Sequence, residues 1–237
     1  MNTFNKIIKL IKTSKKTIVL TGAGISTESG LPDFRSKDGF WTKNKPIQFQ
    51  DYLDNEEQQR LSWSRNIELH EILKKIRPNI GHTFVEKIVN LNNKENFLIT
   101  QNIDGLHQRS GVSEDKIIEI HGNAIDARCL NCGETADILD FHAAIKANNP
   151  LPKCINCNGI VKVATISFGQ PMNESDMLKA SKISSECELM IVMGSSLSVM
   201  PAGQIPNLAI KSGAKLVILN REETIYDAMA DIVINDE

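Results

Sequence analysis

Two Cys-x-x-Cys pairs stand out: Cys129/Cys132 and Cys154/Cys157, with 21 residues between Cys132 and Cys154. A glycine follows each pair, Gly133 and Gly159, and suits a tight knuckle. Four thiolates complete a tetrahedral shell and leave no open coordination position, so the spacing points to one structural Zn2+. Redox cysteines are the alternative, and two pairs with flanking glycines speak against it. The fifth cysteine, Cys187, precedes an apolar run and reads as a small apolar side chain. Of the five histidines, His121 follows the run Ile117-Ile118-Glu119-Ile120 directly, where an imidazole can serve as a general base near neutral pH. His70 and His142 fall in helical stretches, His82 begins a helix, and His107 lies in a helical turn; structural roles are expected for all four. Gln101-Asn102-Ile103-Asp104 combines amide donors and acceptors with a carboxylate able to receive a ribose hydroxyl or cap a helix.

Gly22-Ala23-Gly24-Ile25-Ser26-Thr27 places glycines after one apolar run and before a helix. Such a turn lets backbone N–H groups approach a pyrophosphate. The G-x-G-x-x-G fingerprint is incomplete, because position 27 is Thr, and no acidic strand end follows about twenty residues on. A plain tight turn is the alternative. The continuation through Asp33, Phe34 and Arg35 sets an aromatic ring and a guanidinium beside this turn and reads as a mobile lid. Gly194-Ser195-Ser196 is a second glycine-hydroxyl turn suited to phosphate. Asn220-Arg221-Glu222 offers acceptors for ribose hydroxyls, and Asp231 and Ile232 are counted with the same cofactor contacts.

These clusters need a scaffold. Five short apolar runs, at 17–20, 97–100, 117–120, 189–193 and 216–219, each stop at one of them, and helical segments lie between. That pattern predicts buried parallel strands, whose carboxyl ends line one crevice in an open α/β sheet. The fold expected is a doubly wound, Rossmann-like parallel sheet with a small zinc-ribbon plus helical second domain. Residues 1–36, 81–125 and 164–237 form the first; 37–80 and 126–163, two insertions without the strand pattern, form the second. At the N-terminus, Phe4, Ile7, Ile8 and Ile11 predict a surface helix packed on the sheet rather than a signal peptide. A helix is expected over 83–91. With 41% hydrophobic residues the chain can bury a full core, and a formal net charge of −2 gives no bulk attraction to nucleic acid or membrane. A cytoplasmic location is expected; the oligomeric state is open.

Assembled in this order, the segments resemble the sirtuins of bacteria or archaea, a family of NAD-dependent protein deacylases. The resemblance covers nearly the whole chain. It implies NAD as a consumed co-substrate and an acyl-lysine protein or peptide as partner. It implies that Gly22, Ala23, Gly24, Ser26, Thr27, Asp33, Phe34 and Arg35 form the cofactor loop, with Gln101 and Ile103 around the nicotinamide ribose and Gly194, Ser195 and Ser196 beyond. His121, Asn102 and Asp104 would be catalytic. The acyl oxygen is expected to attack the ribose anomeric carbon, releasing nicotinamide; His121 would then help deprotonate a ribose hydroxyl, leaving lysine and O-acyl-ADP-ribose. An ADP-ribosyltransferase or NAD hydrolase on the same scaffold is the nearest alternative, and a zinc-ribbon nucleic-acid binder would fit Cys129 to Cys157 alone. One departure concerns the substrate segment. Where the family commonly reads Pro-x-Val-Val-x-Phe-Gly-Glu, this chain reads Val163-Ala164-Thr165-Ile166-Ser167-Phe168-Gly169-Gln170. Thr165, Ile166, Phe168 and Gly169 are the candidate substrate contacts, to which a peptide would add as a strand. The Tyr-x-x-Arg pair shared by sirtuins that favour acidic acyl groups is missing: Tyr52 and Tyr226 are followed three positions later by Asn55 and Met229. A lean to neutral acyl groups is therefore expected.

Overall fold

The computed structural model describes residues 2–33, 44–147 and 149–236. Helix α1 (Thr3–Thr13) leads into strand β1 (Thr17–Thr21), and a 3-10 helix, Ala23–Ser29, follows. Helices α2 (Phe49–Asp54), α3 (Glu56–Leu73) and α4 (Ile80–Val89) precede β2 (Phe97–Thr100), the short α5 (Leu106–Arg109) and β3 (Ile117–Glu119). The zinc-ribbon segment supplies β4 (Asp126–Cys129), β5 (Thr135–Asp137), α6 (Leu139–Lys146) and β6 (Val161–Val163). The chain then returns through α7 (Glu174–Ser185), β7 (Leu189–Met193), α8 (Ile205–Lys211), β8 (Lys215–Leu219) and β9 (Ile232–Ile234).

Six strands form one parallel sheet in the order β3-β2-β1-β7-β8-β9. The order reverses between β1 and β7, and such a reversal is where ligands enter open α/β sheets. Alternate residues face opposite layers. Ile18, Leu20, Ile99, Met190, Val192 and Ile218 pack with Ala180 and Ile183 of α7 and Ile205 and Ala209 of α8. Val19, Leu98, Leu189, Ile191 and Val217 face Ile7 and Ile11 of α1 and Val85, Ile88 and Val89 of α4. Burial on both faces explains why these strands read as continuous apolar runs.

Three details differ from the expectations. In α1, Phe4 and Ile8 are 63% and 40% exposed; at about 100° per residue they sit on one flank of a core face centred on Ile7, Leu10 and Ile11. Helix α4 starts at Ile80 rather than Thr83, because Asn79 caps it: its Oδ1 accepts the Gly81 and His82 N–H groups. The sixth strand, β9, is only three half-buried residues, Ile232–Ile234, an apolar run too short to announce a strand.

The second sheet is antiparallel, in the order β5-β4-β6. Its core joins Ala127, Ile138, Val161 and Val163 with the fully buried Trp63 of α3. Asn66 of α3 ties this layer to the crevice, since its Nδ2 donates to the Ala124 carbonyl at 3.0 Å. Among the described residues, no helix is long and apolar enough to cross a membrane.

Candidate active site

The crevice is closed at its floor by two loops in backbone contact. After β1, the Gly22 N–H donates to Met193 O at 3.1 Å and the Gly24 N–H to Gly194 O at 2.8 Å. A Cβ on Gly22 would lie 2.8 Å from Gly194 O, and one on Gly194 only 2.2 Å from the Ile25 nitrogen. Gly194 also takes φ +62°, the left-handed region that glycine favours. These two glycines serve the junction of the loops. Both N–H groups are spent on the β7 loop, and what requires glycine is the approach of two main chains. The segment that follows is a seven-residue 3-10 helix rather than an α-helix.

Above this floor, Ser26 is the hub. Its Oγ donates to Asp104 Oδ2 at 2.7 Å and accepts from Asn102 Nδ2 at 3.2 Å. His82 Nε2 lies 3.4 Å away. His82 Nδ1 lies 3.2 Å from the Asn79 nitrogen and 3.0 Å from Asn79 Oδ1, so the Asn79 cap holds one edge of the ring while the other faces Ser26. Asp104 is held through both oxygens, because Oδ1 accepts the Leu106 N–H at 2.9 Å in an Asx turn leading into α5. Asp104 and Ser26 thereby fix the Asn102 amide, leaving Asn102 Oδ1 buried and without a partner among the described residues. A buried acceptor without a donor is costly, and a ligand hydroxyl or amide would satisfy it.

A second chain supports the same loop. His107 Nε2 meets Thr21 Oγ1 at 3.0 Å, Thr21 donates to Thr100 Oγ1 at 2.8 Å, and Thr100 accepts the Asn102 N–H at 3.0 Å. Burial, reinforced by His82 beside it, pushes the His107 pKa down to about 3. His107 is thus a neutral structural donor.

His121 is half-buried at the carboxyl end of β3. Its Nδ1 lies 3.2 Å from Gln101 O. A carbonyl only accepts, so Nδ1 carries the proton and the lone pair of the neutral ring sits on Nε2, the form a general base needs. Gln101 Nε2 donates to Ser195 Oγ at 2.8 Å, joining the ends of β2 and β7. Gly122, at φ +68°, lets the chain pass Ala164, whose carbonyl oxygen would lie 1.9 Å from a Cβ there. The Ile166 N–H donates to His121 O at 2.8 Å, and the Phe49 N–H donates to Phe168 O at the same distance. The segment carrying Thr165, Ile166, Phe168 and Gly169 therefore lies beside His121.

Other expected residues scatter. Ala23 and Thr27 lie on the first loop, where Thr27 Oγ1 donates to Gly24 O. Asp33 ends the described part of that loop; Phe34 and Arg35 lie outside the described residues. Ser196 is exposed and Ile103 half-buried, its carbonyl held by the Ala124 N–H. Asn220 and Glu222 form the turn after β8. Asp231 and Ile232 are corrected: they sit at the amino end of β9, away from the crevice, where Asp231 accepts from Lys215 Nζ at 2.8 Å and from the Leu216 N–H at 2.9 Å. The residue at the crevice end is Asn235, whose Nδ2 donates to Asn220 O and Glu222 O. The signal for it was one polar residue just past a three-residue strand.

The Sir2 family model matches residues 22–201. The chain belongs to the Sir2 family. This Sir2 protein is 44% identical to NAD-dependent protein deacetylase 1 of Bradyrhizobium diazoefficiens, over 96% of its own length and 89% of that protein's. It is 35% identical to NAD-dependent protein deacylase 2 of Archaeoglobus fulgidus, with 97% and 89% covered. It superposes with TM-score 0.84 and 33% identity on a solved Sir2 with a p53 peptide and NAD+, covering 100% of this chain and 93% of that one. A solved Sir2Tm bound to a propionylated peptide gives 0.84 and 33%, with 99% and 93% covered.

In this Sir2 protein the four sulfurs of Cys129, Cys132, Cys154 and Cys157 all lie within 4.8 Å of one another. Cys129 and Cys157 are 3.5 Å apart, Cys132 and Cys154 3.6 Å. Zn–S bonds of about 2.3 Å in a tetrahedron set sulfurs roughly 3.8 Å apart, so the cluster fits one zinc ion. The knuckles differ in detail. Gly133 takes φ +79°, but in the second pair Asn158 takes the left-handed position, at φ +57°. Gly159 is glycine for another reason: Asn131 packs where its Cβ would be.

Proposed function

We propose that the chain is an NAD-dependent protein-lysine deacetylase that releases nicotinamide and O-acetyl-ADP-ribose. One observation carries the site assignment: the Ser26 hub fixes the Asn102 amide and leaves its buried Oδ1 without a partner among the described residues, while the carbonyl of the adjacent Gln101 holds His121 Nδ1 and leaves the lone pair of the neutral ring on Nε2. Asn102, Gln101, Ser195 and the first loop would hold NAD. When bound, NAD supplies an activated bond at its nicotinamide ribose. Asn102 Oδ1 would accept from the ligand. His121 Nε2 would take a proton from a ribose hydroxyl, while Nδ1–H stays on Gln101 O and keeps the ring oriented. Asp104 positions Ser26 and the α5 turn.

The acyl-lysine peptide would add as a strand along 165–169. The solved relative with a propionylated peptide supports an acyl-lysine ligand, as does the main-chain bond between His121 and Ile166. Zinc, held by four thiolates with no position for substrate, would be structural. The helical insertion and zinc module read as one small domain, a view supported by Trp63 packing among Ala127, Cys129 and Val161.

The test is mass spectrometry of an acetyl-lysine peptide with and without NAD. The expected result is NAD-dependent loss of the acetyl group with matching formation of O-acetyl-ADP-ribose. Nicotinamide release with the peptide still acetylated, or with ADP-ribose on protein, would overturn the assignment.

A further inference from the structure

Lys162 is the least expected residue in the molecule. It is central in β6 and only 1% exposed. Val161 and Val163 face the core of the small domain, so alternation along the strand turns Lys162 toward α2. There its ammonium sits 5.8 Å from the centre of the Tyr52 ring. Among the described residues, no carboxylate forms an ion pair with it. Burial draws its pKa down to about 7. An apolar side chain of similar length would avoid that desolvation. What lysine adds is a set of N–H donors, and they are used: Nζ donates to Val163 O at 3.2 Å and to Thr165 O at 2.5 Å.

Those carbonyls lie where the chain leaves one sheet for the crevice. The Ala164 N–H makes the last bond to the ribbon, to Asp126 O at 2.8 Å. Two residues later the Ile166 N–H bonds His121 O. Between them, Lys162 gathers the Val163 and Thr165 carbonyls to one point and bends the backbone toward His121. Tyr52 fixes the lysine from below, because its own hydroxyl donates to Val161 O at 3.1 Å.

We infer that Lys162 is a positioning residue for the acyl-lysine substrate, setting the course of the 164–168 segment against the His121 main chain. The inference rests on reading 165–169 as the substrate strand. Lys162→Met removes the donors and keeps the length. With acetyl-lysine peptide varied at saturating NAD, its peptide KM should rise tenfold or more. Its kcat should stay within threefold, its NAD Kd within twofold, and its zinc at one per chain. Lys162→Arg, which retains donors, should return the KM to within threefold of wild type. Should Lys162→Met fail to fold, Lys162→Gln, too short to reach both carbonyls, carries the test with a rise of threefold or more. A folded, zinc-loaded variant with unchanged peptide KM overturns the inference. Phe168→Ala in parallel separates the causes. If Phe168→Ala raises the KM and Lys162→Met does not, only the role of Lys162 falls; if neither moves it, the substrate-strand reading falls as well.

Discussion

Ser26 makes no chemistry of its own, yet three of its neighbours depend on it for orientation. Its hydroxyl fixes Asn102, binds Asp104 and meets His82, whereas His121 is held separately by Gln101 O. The two groups should therefore fail differently. His121→Ala should lose deacetylation while unfolding and zinc content stay near wild type, because a half-buried ring at a strand end contributes little packing; near-normal turnover by a folded variant would refute its role as the base. The buried histidines act on stability instead. His107 keeps a pKa of about 3 in the fold, against about 6.5 unfolded. Between those values the unfolded chain binds more protons, so stability falls as pH drops below about 6.5. Burial depresses His82 in the same direction, against the opposing charge of Asp104. Urea unfolding at about pH 7 and about pH 5.5 should show a loss of roughly 1 kcal/mol from His107, and His107→Gln should lose less. Tyr52 answers a question of specificity: its hydroxyl is held by Val161 O and its ring lies under Lys162, so it offers nothing to a distal carboxylate. Acetyl-lysine peptide should outrun succinyl-lysine peptide in kcat/KM; a tenfold succinyl preference, about 1.4 kcal/mol, would reverse this reading. At this scale the sequence showed which polar residues cluster, because strand ends collect them. It hid how Ser26 and Asp104 are spent, and it hid Lys162, since a lysine in a strand reads as solvent-facing until the strand's second face is covered.

The strands were legible where burial on both faces makes an unbroken apolar run, as in Leu189–Met193. They were not where an edge strand is short and half-wet, as in Ile232–Ile234. The helix α1 stripe was read too widely, because periodicity marks an apolar side without saying how much of it a neighbour covers. In the loop after β1 the glycines serve contact with the β7 loop, a role that local sequence does not reveal because the partner lies far along the chain. That role has a measurable consequence. Gly194→Ala combines left-handed strain of about 1–2 kcal/mol with a Cβ 2.2 Å from the Ile25 nitrogen, and should cost about 3 kcal/mol or more in all, with weaker NAD binding. Gly213→Ala is the control. It shares a positive φ of +84° but meets nothing within 4 Å, so only the strain remains. Equal losses in urea denaturation would contradict the close approach of the two loops.

The molecule as a whole is two sheets meeting at one crevice, and the small one depends on its metal. Cys129→Ser should lower zinc content and melting temperature together, by several kcal/mol of module stability, while reducing turnover only through disorder of the neighbouring 164–168 segment. A metal-free variant with unchanged melting and turnover would refute the structural assignment. The spacing of the cysteines made this module readable. How it docks, through Trp63 and Asn66 of α3, was not, because that contact joins residues far apart in the chain. The same distance governs the order of assembly. Strand β1 is made first, but its partners arrive late: Ile18 pairs with Phe97, and Thr17 with Leu189. Pairings of such separation form slowly, whereas the four cysteines lie between residues 129 and 157 and can close around zinc before β7 exists. During synthesis the metal module is therefore positioned to mature ahead of the nucleotide crevice. A chain halted before Leu189 holds the first glycine loop without β7, the strand that completes it, so affinity for NAD should be gained only late in synthesis.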